Sequence, residues 1–152
     1  MSDLIPDLDA NALWAQARKM PHNYIPDYER DADYLRLVHQ AASIGLEEAL
    51  AKLGEYAMRR QCLVEAYFWL AQAKVHGLKQ AESLLRTVKM LWLKQGCPSE
   101  YENAHPGFSE MQGSLGRALL RIRCAMNAPL ARARIRELAA AGCEEARLFS
   151  AV

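Results

Sequence analysis

Three features of this 152-residue sequence predict an all-α fold, a stack of antiparallel helical hairpins with about eight helices. The first is the stretch AASIGLEEALAKLGEYA, residues 41–57. In it Ala41, Gly45, Ala49 and the pair Leu53-Gly54 place small side chains at steps near four, where a lone amphipathic helix would carry large ones. The second is recurrence: Gly45-x-x-x-Ala49-x-x-x-Leu53 returns 32 residues later as Gly77-x-x-x-Ala81-x-x-x-Leu85. A third copy, Gly107-x-x-x-Met111-x-x-x-Leu115-Gly116, follows after 30 residues, and a fourth begins 35 further on with Gly142 and Ala146. The third feature is helical periodicity on both sides of each glycine, with no β-rich run between. A glycine at that spacing serves as a left-handed cap that ends one helix and lets the next begin. Each hairpin then buries, against its neighbour, a face that it cannot bury alone, and the alanines let the backbones approach.

The elements follow in order. Helices near 8–20 and 28–44 come from NALWAQARKM and YERDADYLRLV, with Asp27 and Asp31 placed to cap or charge the start of the second. Helices near 46–59 and 63–76 form the first full hairpin, with Ala49 and Leu53 on one arm and Ala66, Trp69, Leu70 and Ala73 on the other. The second frame gives a helix near 78–95. In GCPSEYENAHPG, residues 96–107, Pro98 and Pro106 stand where the next arm belongs, so an irregular loop is expected there. Helices near 108–126, 129–141 and 143–150 complete the chain, with Asn127 and Pro129 marking the stop before the seventh. The organisation is one helical-repeat domain: residues 1–33 as an N-terminal extension, 34–95 as two well-formed repeats, 96–107 as the loop and 108–152 as degenerate repeats.

Composition bounds the function. With 51% apolar residues the chain can bury about two thirds of its unfolded surface without a staple. Its four cysteines, Cys62, Cys97, Cys124 and Cys143, form no C-x-x-C pair and have no histidine at ligand spacing, so neither zinc nor a cofactor is expected. The acidic start MSDLIPDLDANALW is unlike a signal peptide, and no run approaches the roughly 20 apolar residues of a membrane span, which predicts a cytoplasmic protein with reduced thiols. His22, His39, His76 and His105 are scattered, and no nucleophile or phosphate-cradling motif appears, so no enzymatic activity is expected. Glu47-Glu48 and Glu144-Glu145 sit in first helical turns, where acids favour the helix dipole.

Charge is uneven although the net is +1: residues 1–60 hold ten acids against seven bases, whereas 113–152 hold seven arginines against three glutamates. Arg117, Arg121, Arg132, Arg134 and Arg136 form a basic cluster. No aromatic residue is interleaved to stack a base, which disfavours nucleic acid and leaves a nucleic-acid-associated regulator acting through these Arg-rich helices as a distant alternative. Tyr67, Phe68 and Trp69 span too wide an arc for one buried face. At least one ring is therefore expected to be exposed or to touch a neighbouring layer.

The frame A-A-x-x-G-x-x-x-A-x-x-x-L-G of residues 41–54, followed by Ala66, Trp69, Leu70 and Ala73, resembles the Sel-one-like repeat, a relative of the tetratricopeptide repeat. The likeness covers residues 34–93 well and 107–150 loosely; the link between arms is shorter than usual, and the family's aromatic stands one place later than Tyr56. It implies a right-handed superhelical stack that binds another protein. Short chains of this kind with a helical extension also resemble proteins encoded beside bacterial toxins, which implies an immunity protein, with a general cytosolic adaptor as the alternative.

In such stacks the first helix of each hairpin lines the concave side. Stepping off the core positions gives a candidate protein-binding face of Glu48, Lys52, Glu55 and Arg59, then Gln80, Leu84, Thr87 and Leu91, then Glu110, Ser114, Arg117 and Arg121. Tyr101 and His105 are candidates in the loop. Leu148, Phe149 and Val152 have no following layer, so a homodimer through the C-terminal repeat is a further expectation.

Overall fold

A computed structural model describes residues 9–95 and 108–149. Among them the chain forms eight α-helices and no strand: α1 (Ala10–Arg18), α2 (Ala32–Ile44), α3 (Glu47–Arg59), α4 (Leu63–Val75), α5 (Gln80–Lys94), α6 (Glu110–Arg123), α7 (Ala128–Ala140) and α8 (Glu144–Phe149). The expected helices are all present and mostly begin or end a few residues inside their expected bounds. The second is shortened most at its start. Asp27 caps a separate turn by accepting from the backbone N–H of Glu29 and Arg30, and Asp31 accepts from Asp27 N at 2.9 Å, so α2 starts only after them.

Three described glycines of the repeat frame are the left-handed caps that the spacing predicts: Gly45, Gly77 and Gly142 have φ of 102°, 103° and 103°. Each is closed by the same bond, from the N–H of the following residue back to the carbonyl five before it: Leu46 to Ala41, Leu78 to Ala73 and Cys143 to Leu138, at 3.1, 3.0 and 2.9 Å. This is the Schellman arrangement, which satisfies carbonyls that the helix end would orphan. The alanines between the caps are closed off from solvent: Ala41, Ala49, Ala73 and Ala81 are fully buried.

Neighbouring helices pack in sequence from α1 to α5, and α6 then lies on α4 before pairing with α7, which carries α8. α4 is therefore enclosed by α3, α5 and α6. Its sequence suits that position, because ten of its 13 residues are buried and it is apolar all round. Tyr67, Phe68 and Trp69 are all buried, by meeting neighbouring layers rather than by sharing one face. Phe68 and Trp69 both meet Phe108, at 4.6 and 5.2 Å between ring centres.

The Leu-Gly pairs also find their reason on α4. A Cβ on Gly54 would lie 2.5 Å from Leu70 Cγ, and one on Gly116 would lie 3.0 Å from Val64 Cγ1 and 3.1 Å from the Val64 carbonyl. Only a residue without a side chain lets α3 and α6 come so near. At the C-terminal end, Phe149 is buried and lines a hollow with Leu119 and Ile122 of α6, contrary to the expectation that it lacks a covering layer. That removes Phe149 from the apolar surface proposed for a dimer; Leu148 remains 52% exposed, and Val152 lies outside the described residues.

Candidate protein-binding surfaces

The twelve residues of the expected face do not share one surface. On α3, Lys52 and Arg59 line a hollow of about 340 Å³ with Trp14, Tyr24 and Tyr56, where the Arg59 guanidinium lies 4.4 Å from the centre of the Tyr24 ring. Glu55 pairs with Lys52 at 3.4 Å, and Glu48 is exposed. On α5, Gln80 and Thr87 face solvent, whereas Leu84 and Leu91 are half-buried against the core. On α6, Arg117 and Arg121 line a second hollow, against α7, and Glu110 is exposed in the first turn. Ser114 departs from the expectation of an exposed face: it is 7% exposed and accepts a hydrogen bond from Arg134 Nε at 2.9 Å. Tyr101 and His105, together with Pro98 and Pro106, lie outside the described residues.

A larger groove, of about 430 Å³, runs across the second arms of the hairpins. Gln40 and Ile44 of α2, Trp69 and Gln72 of α4, His76 just after α4 and Gln112 of α6 line it, together with Glu145 of α8. Gln40 and Gln72 are separated by the repeat length of 32 residues, so the stack puts one amide from each repeat into the same groove. Both are half-buried, and neither side-chain amide has a hydrogen-bond partner among the described residues. Gln112 is already engaged: it closes a capping box with Ser109 and donates to Glu145 Oε2 at 3.3 Å.

The groove's floor is held from below. Trp69 turns its indole N–H inward to Glu65 Oε2, 3.3 Å away, and His39 meets its ring edge-on at 5.4 Å between centres. His39 Nε2 lies 3.0 Å from the hydroxyl of Tyr28, whose ionisation is pushed well above the usual phenol value by burial and by the Glu65 carboxylate. The ring of His76 covers Gly45, where a Cβ would come within 2.9 Å of Cε1. Gly45 thus serves both the turn and the groove wall.

The 32-residue register held the signal for this groove, since it equates Gln40 with Gln72. The expected face, on the first arms, falls instead on α3, α5 and α6. Among the described residues no three of His, Cys, Asp and Glu come together as metal ligands would, and no helix is long and apolar enough to cross a membrane. Compared with models of known families, with curated proteins and with solved structures, the chain matches none.

Proposed function

We propose that this chain is a non-enzymatic binding module, a Sel-one-like repeat scaffold that holds an extended segment of a partner protein in the groove over Trp69. The observation that carries the reading is the pair Gln40 and Gln72. A side-chain amide offers a donor and an acceptor in one plane, which matches the N–H and C=O of a peptide backbone, and two such groups a repeat apart can follow an extended chain. Trp69 and Phe68 beneath them supply an apolar floor for a side chain of that segment, and a rigid aromatic loses little entropy on binding.

Affinity capture from the native cell with mass spectrometry supplies the partner. A secreted toxin among the captured proteins makes the chain an immunity protein, and a regulatory protein makes it an adaptor. The groove is then tested with Gln40→Ala and Gln72→Ala together. Losing two neutral hydrogen bonds of about 1 kcal/mol each should weaken binding roughly ten- to thirtyfold. Wild-type affinity in a double variant that melts like the parent would remove the groove from the binding surface.

A further inference from the structure

We infer that the hollow between α6 and α7 is a second binding site, built for an acidic segment of a partner protein. The inference rests on the protein-binding reading, but the hollow shares no lining residue with the groove over Trp69.

The hollow has a volume of about 280 Å³ and collects three guanidinium groups: Arg117 and Arg121, one turn apart on α6, and Arg134 opposite them on α7. No carboxylate lines it among the described residues. Arg134 is held in place, since its Nε donates to the buried Ser114 hydroxyl at 2.9 Å and its Nη1 pairs with Glu137 at 3.0 Å. The remaining Nη2 donors of Arg134 are therefore positioned before any ligand arrives, so less entropy is lost on binding. The Arg121 guanidinium has neither an ion pair nor a hydrogen-bond partner among the described residues. At the mouth, Asn127 has left-handed backbone (φ 50°, ψ 42°) and makes no side-chain bond to the start of α7, leaving the positive end of that 13-residue helix beside the arginines.

The Arg121 guanidinium carries a charge that no described residue pairs with, and an anion seated between it and Arg134 is attracted to both. A carboxylate suits the site because guanidinium binds it through two parallel N–H donors. Leu130, 72% exposed on the lining, offers an apolar contact to the residue beside the acid. A nucleic-acid strand fits less well: no aromatic side chain lines the hollow to stack a base, and the charges converge on one point instead of tracking a phosphate chain.

The test is a titration of the full chain with fluorescein-labelled hexaglutamate at physiological salt. Two double variants are compared, each changing net charge equally: Arg117→Glu with Arg121→Glu inside the hollow, and Arg132→Glu with Arg136→Glu on exposed positions of α7 outside it. The hollow pair should weaken binding about tenfold or more, the scale of a lost charge-assisted hydrogen bond, and the outer pair by no more than about threefold. If the hollow pair does not fold, the single Arg121→Gln should still weaken binding severalfold. Equal losses from both pairs, absence of saturable binding to the parent, or tighter binding of an oligothymidylate of equal charge through the same arginines would each overturn the proposal. Gln40→Ala with Gln72→Ala should leave hexaglutamate binding unchanged, so failure of the groove and failure of the hollow are read separately.

Discussion

Trp69 donates its indole N–H to the carboxylate of Glu65, 3.3 Å away and one turn earlier on α4. The Glu65 side chain is 1% exposed, and its Oε2 also accepts from Arg60 Nη2 at 3.2 Å. Its other oxygen is buried without a partner among the described residues. Burial pushes the titration of this carboxyl above its ordinary value of 4.5, outweighing the Arg60 charge and the two hydrogen bonds, which pull it down. Arg60 itself lies over the Tyr28 ring at 5.2 Å, and Tyr28 meets His39, which meets Trp69. The groove floor is thus tied to one buried acid.

That acid gives stability a pH dependence of definite sign. A carboxyl that titrates higher when folded binds more protons in the native state, so its contribution is fully present below 4.5 and is lost as pH rises through the folded value. Glu65→Gln keeps an acceptor for Trp69 and removes the titration. Urea unfolding of both proteins from about pH 4 to about pH 8 should show their stability difference moving in favour of the glutamine variant as pH rises, then levelling. Asp27, Asp31 and Glu82, whose carboxyls are held low by backbone N–H groups or by Lys74, lose their effect in acid equally in both proteins and cancel. A difference constant across the range would show that burial does not penalise the Glu65 charge.

A second prediction concerns helix ends. Ala125 closes α6 with the same pair of bonds as the cap glycines, Met126 N to Arg121 O at 2.8 Å and Ala125 N to Ile122 O at 3.0 Å, but at φ 57° with a side chain. A left-handed alanine costs about 1–2 kcal/mol, of which glycine's looser unfolded chain returns part. Ala125→Gly should therefore stabilise the protein by about 1 kcal/mol and raise its melting temperature by about 2–4 °C in calorimetry. Gln61, at φ 67°, should gain less as glycine, because its side chain accepts from Gln95 Nε2 at 2.8 Å. A lower melting temperature for Ala125→Gly would contradict the account of the caps.

The fold was legible because its determinants are local. The left-handed glycines, the four-residue steps Ala41-Gly45-Ala49 and Ala73-Gly77-Ala81, and the stop at Asn127 and Pro129 act within a turn or two of themselves. The placement of α6 on α4 was not legible, since it depends on what Gly116 meets, and Val64 lies 52 residues earlier. The expected face divides among several surfaces for the same reason. Whether Ser114 faces solvent is decided by an arginine 20 residues further on, and no periodicity on α6 reports that.

Thiol reactivity should follow unfolding. The thiols of Cys62, Cys124 and Cys143 are buried, and burial holds the Cys143 thiol above its ordinary titration, away from the reactive thiolate. In a Cys97→Ser background, a chromogenic disulfide reagent should label these three sites only at the rate at which the chain opens in denaturant. Rapid labelling in native buffer would mean that the end of α3, of α6 or of α7 opens locally.

The sharpest test of the packing uses three glycines inside helices, because the structure assigns them different outcomes for one substitution. Gly113 is the permissive case: a Cβ there would meet only Arg117 Nη1, at 3.7 Å, an ordinary contact with the mobile end of a side chain. Alanine at that position should stabilise α6 by about 0.5–1 kcal/mol, the usual difference between the two residues in a helix. At Gly116 the Cβ would lie 3.1 Å from the Val64 carbonyl, which cannot rotate away, so the helix gain should be cancelled or reversed. At Gly54 it would lie 2.5 Å from Leu70 Cγ and 2.7 Å from Cδ2, with Leu70 fully buried. Relief there requires α3 and α4 to separate or Leu70 to leave its rotamer, at a cost typical of overpacked cores, about 1–3 kcal/mol. Equilibrium unfolding of the three alanine variants should therefore rank Gly113→Ala above the parent, Gly116→Ala near or below it, and Gly54→Ala lowest. If Gly54→Ala matched or exceeded the parent, the close approach of α3 to α4 would not explain the recurring Leu-Gly pair.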